Sequence, residues 1–337
     1  MLILSTVHIP ELWFWKIVEV NVLNIYGELL QKLKNGEPYA LCTRLNPDGE
    51  NTKWIEAIGQ QTQADIKQYF YPEERLILFG GGHVSLAVSK IAALCGFSVV
   101  VCDDRPEFAN STRFSDARQT ICGSFAECYD MLHITSYDYV VVVTRGHQYD
   151  LECLRQILSG NMPQYIGMMG SRKRTESVGR ILGEEGYCKE NIQKIHMPIG
   201  LKIGALTPEE IAVSIMAEII GIRRHLSVNS KYASDTDYHL LEILAKENKP
   251  CAIATILSVN GSAPRDAGAN MIIYSTGEIA GTIGGGYAEG EIIRQGVEWI
   301  GTNRHKVITI NMLADPKKKN EMVCGGIMNV LIEGYRP

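Results

Sequence analysis

Gly80, Gly81 and Gly82, followed by His83, Val84 and Ser85, form a G-x-G-x-x-S turn between an apolar run over 76–79 and an amphipathic one over 84–94. This is close to the fingerprint of dinucleotide-binding turns. The first glycine permits the tight bend, and Gly82 lets a pyrophosphate lie against backbone N–H groups at a helix N-terminus, where the macrodipole favours anions. Asp103 and Asp104 follow about 20 residues on, the distance at which a carboxylate accepts hydrogen bonds from a ribose. NAD(P) or another nucleotide is the ligand class such a turn takes, although a fold can keep the turn after losing its cofactor. His83 is open to three roles, as a cap, a packing group or a donor to ligand.

Arg145, Gly146 and His147 follow a third apolar run, 139–143, and Gly170, Ser171, Arg172 and Lys173 follow a fourth, 165–168. Loops at the carboxyl ends of parallel strands are where open α/β sheets bind ligands. The arginines and Lys173 suit phosphate or carboxylate, and His147 offers an imidazole for proton transfer. The plainer alternative is a set of solvated basic side chains.

Three more glycine loops lie towards the C-terminus. NGSAPRDAGANM puts Ser262 and Arg265 in one turn, and TIGGGYAEG brings Gly284, Gly285 and Gly286 to the head of a helix whose first turn holds Glu289. VCGGIMNV then places Cys324, Gly325 and Gly326 before a final apolar run. Backbone N–H cradles of this kind converge on anions, with Arg265 as a bidentate phosphate partner. Cys324 reads either as a small buried hydrophobe or as a thiolate whose pKa a helix dipole or an arginine lowers. Glu289 reads as a catalytic carboxylate or, more plainly, as a partner for the helix dipole.

The elements that must carry these loops follow from periodicity. Continuous apolar strands over 76–79, 98–102, 139–143 and 165–168, alternating with helices, imply a parallel sheet covered on both faces. The expected fold is therefore α/β: a Rossmann-like parallel-sheet domain over 76–225 plus a smaller α+β glycine-loop domain over 226–337. A helix over 208–224 opens with Thr207 as N-cap, Pro208 at its first position and Glu210 completing a capping box, and the polar segment HLSVNSKYASDTD after it reads as a linker. A weak repeat links the two ends of the chain. IYGELLQKLKNGEPYALCTRL aligns with DYHLLEILAKENKPCAIATIL, matching Tyr26 with Tyr238, Leu29 with Leu241, Pro38 with Pro250 and Thr43 with Thr255. Residues 1–75 thus read as a partial copy of the last domain that stops after the turn NPDGEN. Their first fifteen residues, MLILSTVHIPELWFW, read as a strand or docking segment, lacking a basic n-region and too interrupted to span a bilayer.

Composition narrows the function classes. With 33 Lys and Arg against 38 Asp and Glu, the net charge is −5, so no strong positive field is present to hold a nucleic-acid backbone. The nine cysteines show no C-x-x-C pair, which speaks against a disulfide framework and a zinc ribbon, and for a reducing cytoplasm. Neither nucleic acid nor a membrane is expected as a partner. Glycine is the conspicuous excess, 32 of 337 residues, and it concentrates in the loops described above rather than in linkers.

Taken together, FGGGHVS, VCDDRPEFAN with RF, VVVVTRGH followed by Asp150, IGMMGSRKR, PIGLKIGA with TPEEIAVSIMAEI, GSAPRDAGA, GTIGGGYAE and CGG resemble the XdhC/CoxI family, over about residues 71–337. These are maturation factors of xanthine dehydrogenase and carbon monoxide dehydrogenase. The resemblance implies a cytoplasmic chaperone, rather than a stand-alone catalyst, that binds molybdenum cofactor (molybdopterin). It would support sulfuration of that cofactor together with a cysteine desulfurase and deliver it to a xanthine dehydrogenase-type molybdenum hydroxylase. It also implies a place for Cys324 near the molybdenum, as transient ligand or sulfur relay. One departure is order, since the GSAPR and GGG module usually precedes the Rossmann-like domain and here follows it. A homodimer is expected from general frequency. The rival reading is an NAD(P)-dependent oxidoreductase, for which His147 is the one plausible acid near the turn and no Y-x-x-x-K signature is present.

Overall fold

The computed structural model describes residues 24–46, 49, 51–60, 62–228, 235–311 and 326–337. The expectations for residues 1–15, Cys324 and Gly325 lie outside the described residues. Three sheets organise the described chain. The first begins with α1 (Ile25–Leu33), whose N-cap Asn24 accepts from the Gly27 N–H. It continues with β1 (Tyr39–Leu45), β2 (Asn51–Ala57) and β3 (Ile66–Phe70), antiparallel in the order β2-β1-β3. The partial copy therefore does not stop after NPDGEN. Two more strands follow, with mostly half-buried or exposed positions that leave a weaker apolar signal.

The second sheet is the expected Rossmann-like one. Its elements are β4 (Arg75–Phe79), α2 (His83–Leu94), β5 (Ser98–Asp103), β6 (Gln119–Cys122), α3 (Phe125–Leu132) and β7 (Tyr139–Val142). After these come α4 (His147–Ser159), β8 (Tyr165–Met168), α5 (Arg172–Glu184), α6 (Lys189–Gln193), β9 (Ile195–His196) and α7 (Pro208–Val228). All six strands are parallel, in the order β6-β5-β4-β7-β8-β9. The order reverses between β4 and β7, which makes the crevice beyond their carboxyl ends the place where such sheets take ligands. Phe125, Leu154 and Val178 of α3, α4 and α5 cover one face, and Val88, Ile215 and Ile219 of α2 and α7 cover the other. Burial from both sides is why YVVV needs no polar alternation. At the head of α7, Thr207 and Glu210 form the expected box, with the Glu210 N–H donating to Thr207 Oγ1 at 3.2 Å and the Thr207 N–H to Glu210 Oε2 at 3.1 Å.

The third sheet holds α8 (Tyr238–Lys246), β10 (Cys251–Gly261), β11 (Asn270–Ile273), β12 (Ile279–Gly281), α9 (Gly286–Val297), β13 (His305–Asn311) and β14 (Gly326–Tyr335), with its strands antiparallel in the order β12-β11-β10-β14-β13. The two repeats meet here. Leu29, Leu30 and Leu33 of α1 share one core with Leu240, Leu241 and Leu244 of α8 and with Cys251 and Ile253 of β10. Polar contacts reinforce this seam. Asn24 Nδ2 donates to the Leu244 carbonyl at 2.9 Å, and buried Glu333 of β14 receives Lys53 Nζ at 2.8 Å and Asn51 Nδ2 at 2.6 Å from β2. The N-terminal elements are thus packed against the last domain through one shared core.

Candidate functional site

The glycine turn leaves β4 at Phe79. Gly80 takes φ +113°, and a Cβ there would stand 2.3 Å from the Val143 carbonyl oxygen, so only glycine fits. A Cβ on Gly81 would stand 2.0 Å from the Phe108 carbonyl oxygen. Gly82 differs, because nothing lies within 4 Å of where its Cβ would be and no side chain caps α2, which it opens. His83 is exposed at the first helical position. Ser85, the last fingerprint residue, donates its hydroxyl to the Gly80 carbonyl.

Asp103, read from sequence as a ribose acceptor, acts on the turn itself. Its carboxylate is 1% exposed and accepts from the Gly81 N–H at 2.8 Å and from Arg105 through the backbone N–H at 3.1 Å, Nε at 2.8 Å and Nη2 at 3.0 Å. With four donors on two oxygens, little capacity is left for a sugar hydroxyl. Asp104 is engaged as well. Arg145, from the loop after β7, grips it with both terminal nitrogens, Nη2 lying 2.7 Å from Oδ2, and stacks over the Tyr149 ring at 4.2 Å. Those Arg145 hydrogen bonds hold the Asp104 carboxyl below its ordinary range.

Two more helices start along the same edge. Gly146 opens α4 with no side-chain cap and is followed by half-buried His147. Ser171 caps α5, accepting from the Arg174 N–H at 3.3 Å, and Gly170 precedes it. Arg172 and Lys173 are exposed in the first turn of α5. Buried Asp150 ties α4 to α5 by accepting from Thr144 Oγ1 at 2.6 Å and Arg174 Nε at 2.7 Å, while burial pushes its carboxyl up against those donors. Because β4, β7 and β8 are parallel, the starts of α2, α4 and α5 line one edge with their N–H groups facing outward. Free N–H groups at helix starts favour anions.

The glycine loops of the third sheet also meet each other. A Cβ on Gly284 would stand 2.8 Å from Pro264 Cβ, and one on Gly326 2.6 Å from the Ser262 carbonyl oxygen. Gly285 and Gly286 have φ of +75° and +68° with open space before them. Glu289 holds this loop in shape, accepting from the Thr282 hydroxyl, the Ile283 N–H at 3.2 Å and the Gly285 N–H at 3.1 Å. Arg265 is paired with Asp235, Nε to Oδ2 at 2.6 Å and Nη2 to Oδ1 at 3.1 Å. It opens, with Glu242 and Arg118, onto a cleft of about 970 Å³ that also touches Glu74 and Ser98 at the amino ends of the parallel strands. Arg265 thus opens at the amino ends of the parallel strands, the edge opposite the glycine turn. Among the described residues, no group of three histidine, cysteine, aspartate or glutamate side chains is placed to hold a metal ion, and no helix is long and apolar enough to cross a membrane.

Sequence reasoning missed Arg105, Phe108, Arg113 and Arg174, which fasten the turn and the helix starts. The run RPEFANSTRF carried a usable signal, since two arginines and two aromatic rings within ten residues favour stacking.

A doubly wound parallel sheet joined to an antiparallel glycine-loop module defines an α/β protein with a Rossmann-type domain. Residues 76–219 match the XdhC Rossmann domain and residues 244–311 the XdhC and CoxI family. The chain belongs to the XdhC/CoxI family. It is 38% identical over 168 residues to a probable xanthine dehydrogenase subunit of Bacillus subtilis (strain 168), covering 50% of this chain and 48% of that protein. It is 34% identical over 202 residues to the Uncharacterized protein YqeB of Escherichia coli (strain K12), covering 60% of this chain and 36% of that one. The chain thus spans half or less of the length of these curated relatives. Among solved structures it is similar to a xanthine dehydrogenase from Bacillus halodurans, with a TM-score of 0.49 and 26% identity over 63% of this chain and 66% of that one.

Proposed function

We propose that this chain is a maturation factor for a xanthine dehydrogenase-type molybdenum hydroxylase. It holds molybdenum cofactor by the anionic part of that molecule and presents it to a cysteine desulfurase for sulfuration and to the hydroxylase for insertion. The observation that carries the reading is the carboxyl edge of the parallel sheet. There the helix starts at Gly82 and Gly146 have no side-chain cap, Gly82 faces open space, and Arg172 and Lys173 stand exposed beside them. Such a donor set suits a phosphate. Molybdopterin, when bound, supplies that phosphate or a dinucleotide extension, together with a dithiolene-held metal.

The chain's own residues bind and orient. The N–H groups of α2 and α4 grip the anion, Arg172 and Lys173 neutralise its charge, and His147 offers an imidazole to the same edge. The second cradle, built from Ser262, Gly284–Gly286 and Gly326, has open glycine faces at Gly285 and Gly286 and takes another part of the ligand or a neighbouring surface. Cys324 and Gly325, next to that cradle in sequence, are the proposed contact with the metal and its sulfur. Engagement of Asp103 and Asp104 by Arg105 and Arg145 weighs against a ribose read in the NAD(P) manner.

Co-expression of Cys324→Ser with a partner hydroxylase in a molybdenum-replete host tests the sulfur role. Reduced cyanolysable sulfur and hydroxylase activity are expected, and undiminished values would remove the cysteine from the mechanism. Tight NADH binding with a substrate-dependent loss of NADH absorbance would instead support an oxidoreductase.

A further inference from the structure

Arg113, of the RF pair, sits in the loop between β5 and β6, and no chemical role is read for it from the sequence. Its Nε donates to the Gly81 carbonyl at 3.1 Å. Its guanidinium carbon lies 5.2 Å from the centre of the Phe108 ring and 5.7 Å from that of buried Phe114. Among the described residues the guanidinium makes this one hydrogen bond, and Nη2 is buried without a partner. The neighbouring Arg105 is neutralised by Asp103, whereas the charge on Arg113 has no such carboxylate among those residues.

The peptide between Gly81 and Gly82 is trans, and a trans peptide points its C=O and N–H in opposite directions. Turning the Gly81 carbonyl towards Arg113 therefore turns the Gly82 N–H away from it. That N–H meets no acceptor among the described residues. The preceding peptide is fixed at both ends, its carbonyl at Gly80 by Ser85 and its N–H at Gly81 by Asp103. Three side chains, with the Cys102 carbonyl on the Gly80 N–H and the Leu86 N–H on the Gly82 carbonyl, thus occupy the other polar groups of the turn and leave the Gly82 N–H.

We infer that Arg113 is a positioning residue for anion binding: by holding the Gly81 carbonyl it presents the Gly82 N–H to a phosphate-bearing ligand. The inference rests on the reading of the carboxyl edge as an anion cradle. It assigns the spacing between β5 and β6 a role that the fingerprint itself does not contain.

Two isosteres separate positioning from charge. In Arg113→Gln the Nε2 amide stands at the chain position of the arginine Nε and keeps a donor without the charge, and in Arg113→Met a methyl takes that position and keeps neither. Binding of inorganic pyrophosphate to the full chain is measured by calorimetry, and the Gly82 amide resonance is followed by NMR. Wild type is expected to bind saturably and to shift that resonance. Arg113→Met should lose affinity about tenfold or more, while Arg113→Gln stays within about threefold of wild type. No loss in Arg113→Met, or equal losses in both variants, would overturn the inference. If wild type binds no pyrophosphate, the anion-cradle reading fails instead. The positioning role is then decided in the free protein, where Arg113→Met must move the Gly82 resonance and Arg113→Gln restore it; an unmoved resonance refutes it.

Discussion

At the residue scale, the glycines of one turn do different work, and single substitutions separate them. Gly81→Ala drives a Cβ to within 2.0 Å of backbone and is expected to cost about 2 kcal/mol or more of stability, as overpacking against a rigid wall does. Gly82 has φ −69° and open space, so Gly82→Ala should leave the thermal midpoint close to wild type while obstructing the ligand. Parallel melting and ligand-binding measurements check both. The turn was legible in the sequence, but the role of Asp103 was not. A carboxylate that reads a ribose and one that latches the turn have the same spacing, and only Arg105 and the Gly81 N–H, close in space, tell them apart.

Glu56 gives a pH dependence at the same scale. Burial alone would push its carboxyl up, but donation from Lys67, Thr62 and Cys42 outweighs it and brings the value down to about 2. An unfolded glutamate titrates near 4.3, roughly. A depressed folded value contributes stability that is complete above the unfolded value and is lost as the pH falls through the folded one. The melting temperature should therefore drop on acidification from about pH 5 towards pH 2, and Glu56→Gln should flatten that slope. An unchanged slope would show that the Glu56 cluster contributes nothing to acid sensitivity.

At the element scale, the seam between α1 and α8 decides whether the N-terminal copy belongs to the folded body. Leu29 is fully buried against α8, and Leu29→Ala is expected to cost about 2–5 kcal/mol in denaturant unfolding. Lys53→Met leaves the Glu333 carboxylate, 3% exposed, with Asn51 as its partner across the seam and should cost roughly 3 kcal/mol. Small effects at both positions would mean that the seam is not part of the cooperative unit. The parallel strands were readable because burial on both faces makes them uniformly apolar. β6 and β9 were not, since QTIC is partly exposed and Ile195–His196 is two residues long. β2 was hidden for a related reason, its positions being mostly half-buried with one fully buried residue, Glu56.

At the scale of the whole molecule, polar groups that sequence alone could assign to one ligand fall into two places. The turn after β4 and the starts of α4 and α5 share the carboxyl edge, while Arg265 opens onto a cleft at the amino edge. Sequence spacing carries no sign of that separation. Family membership and the doubly wound class were legible from motifs distributed along the chain. The distance of Arg265 from the carboxyl edge was not.

On the proposed function, the carboxyl edge holds molybdenum cofactor. Its most direct test is the pterin content, by fluorescence after oxidation, of the full chain purified from a molybdenum-replete host, compared with folded Gly82→Ala. Pterin is expected on the wild-type protein, with most of it lost in the variant. Wild-type protein free of pterin, or a variant that retains it fully, would rule out cofactor binding at this edge.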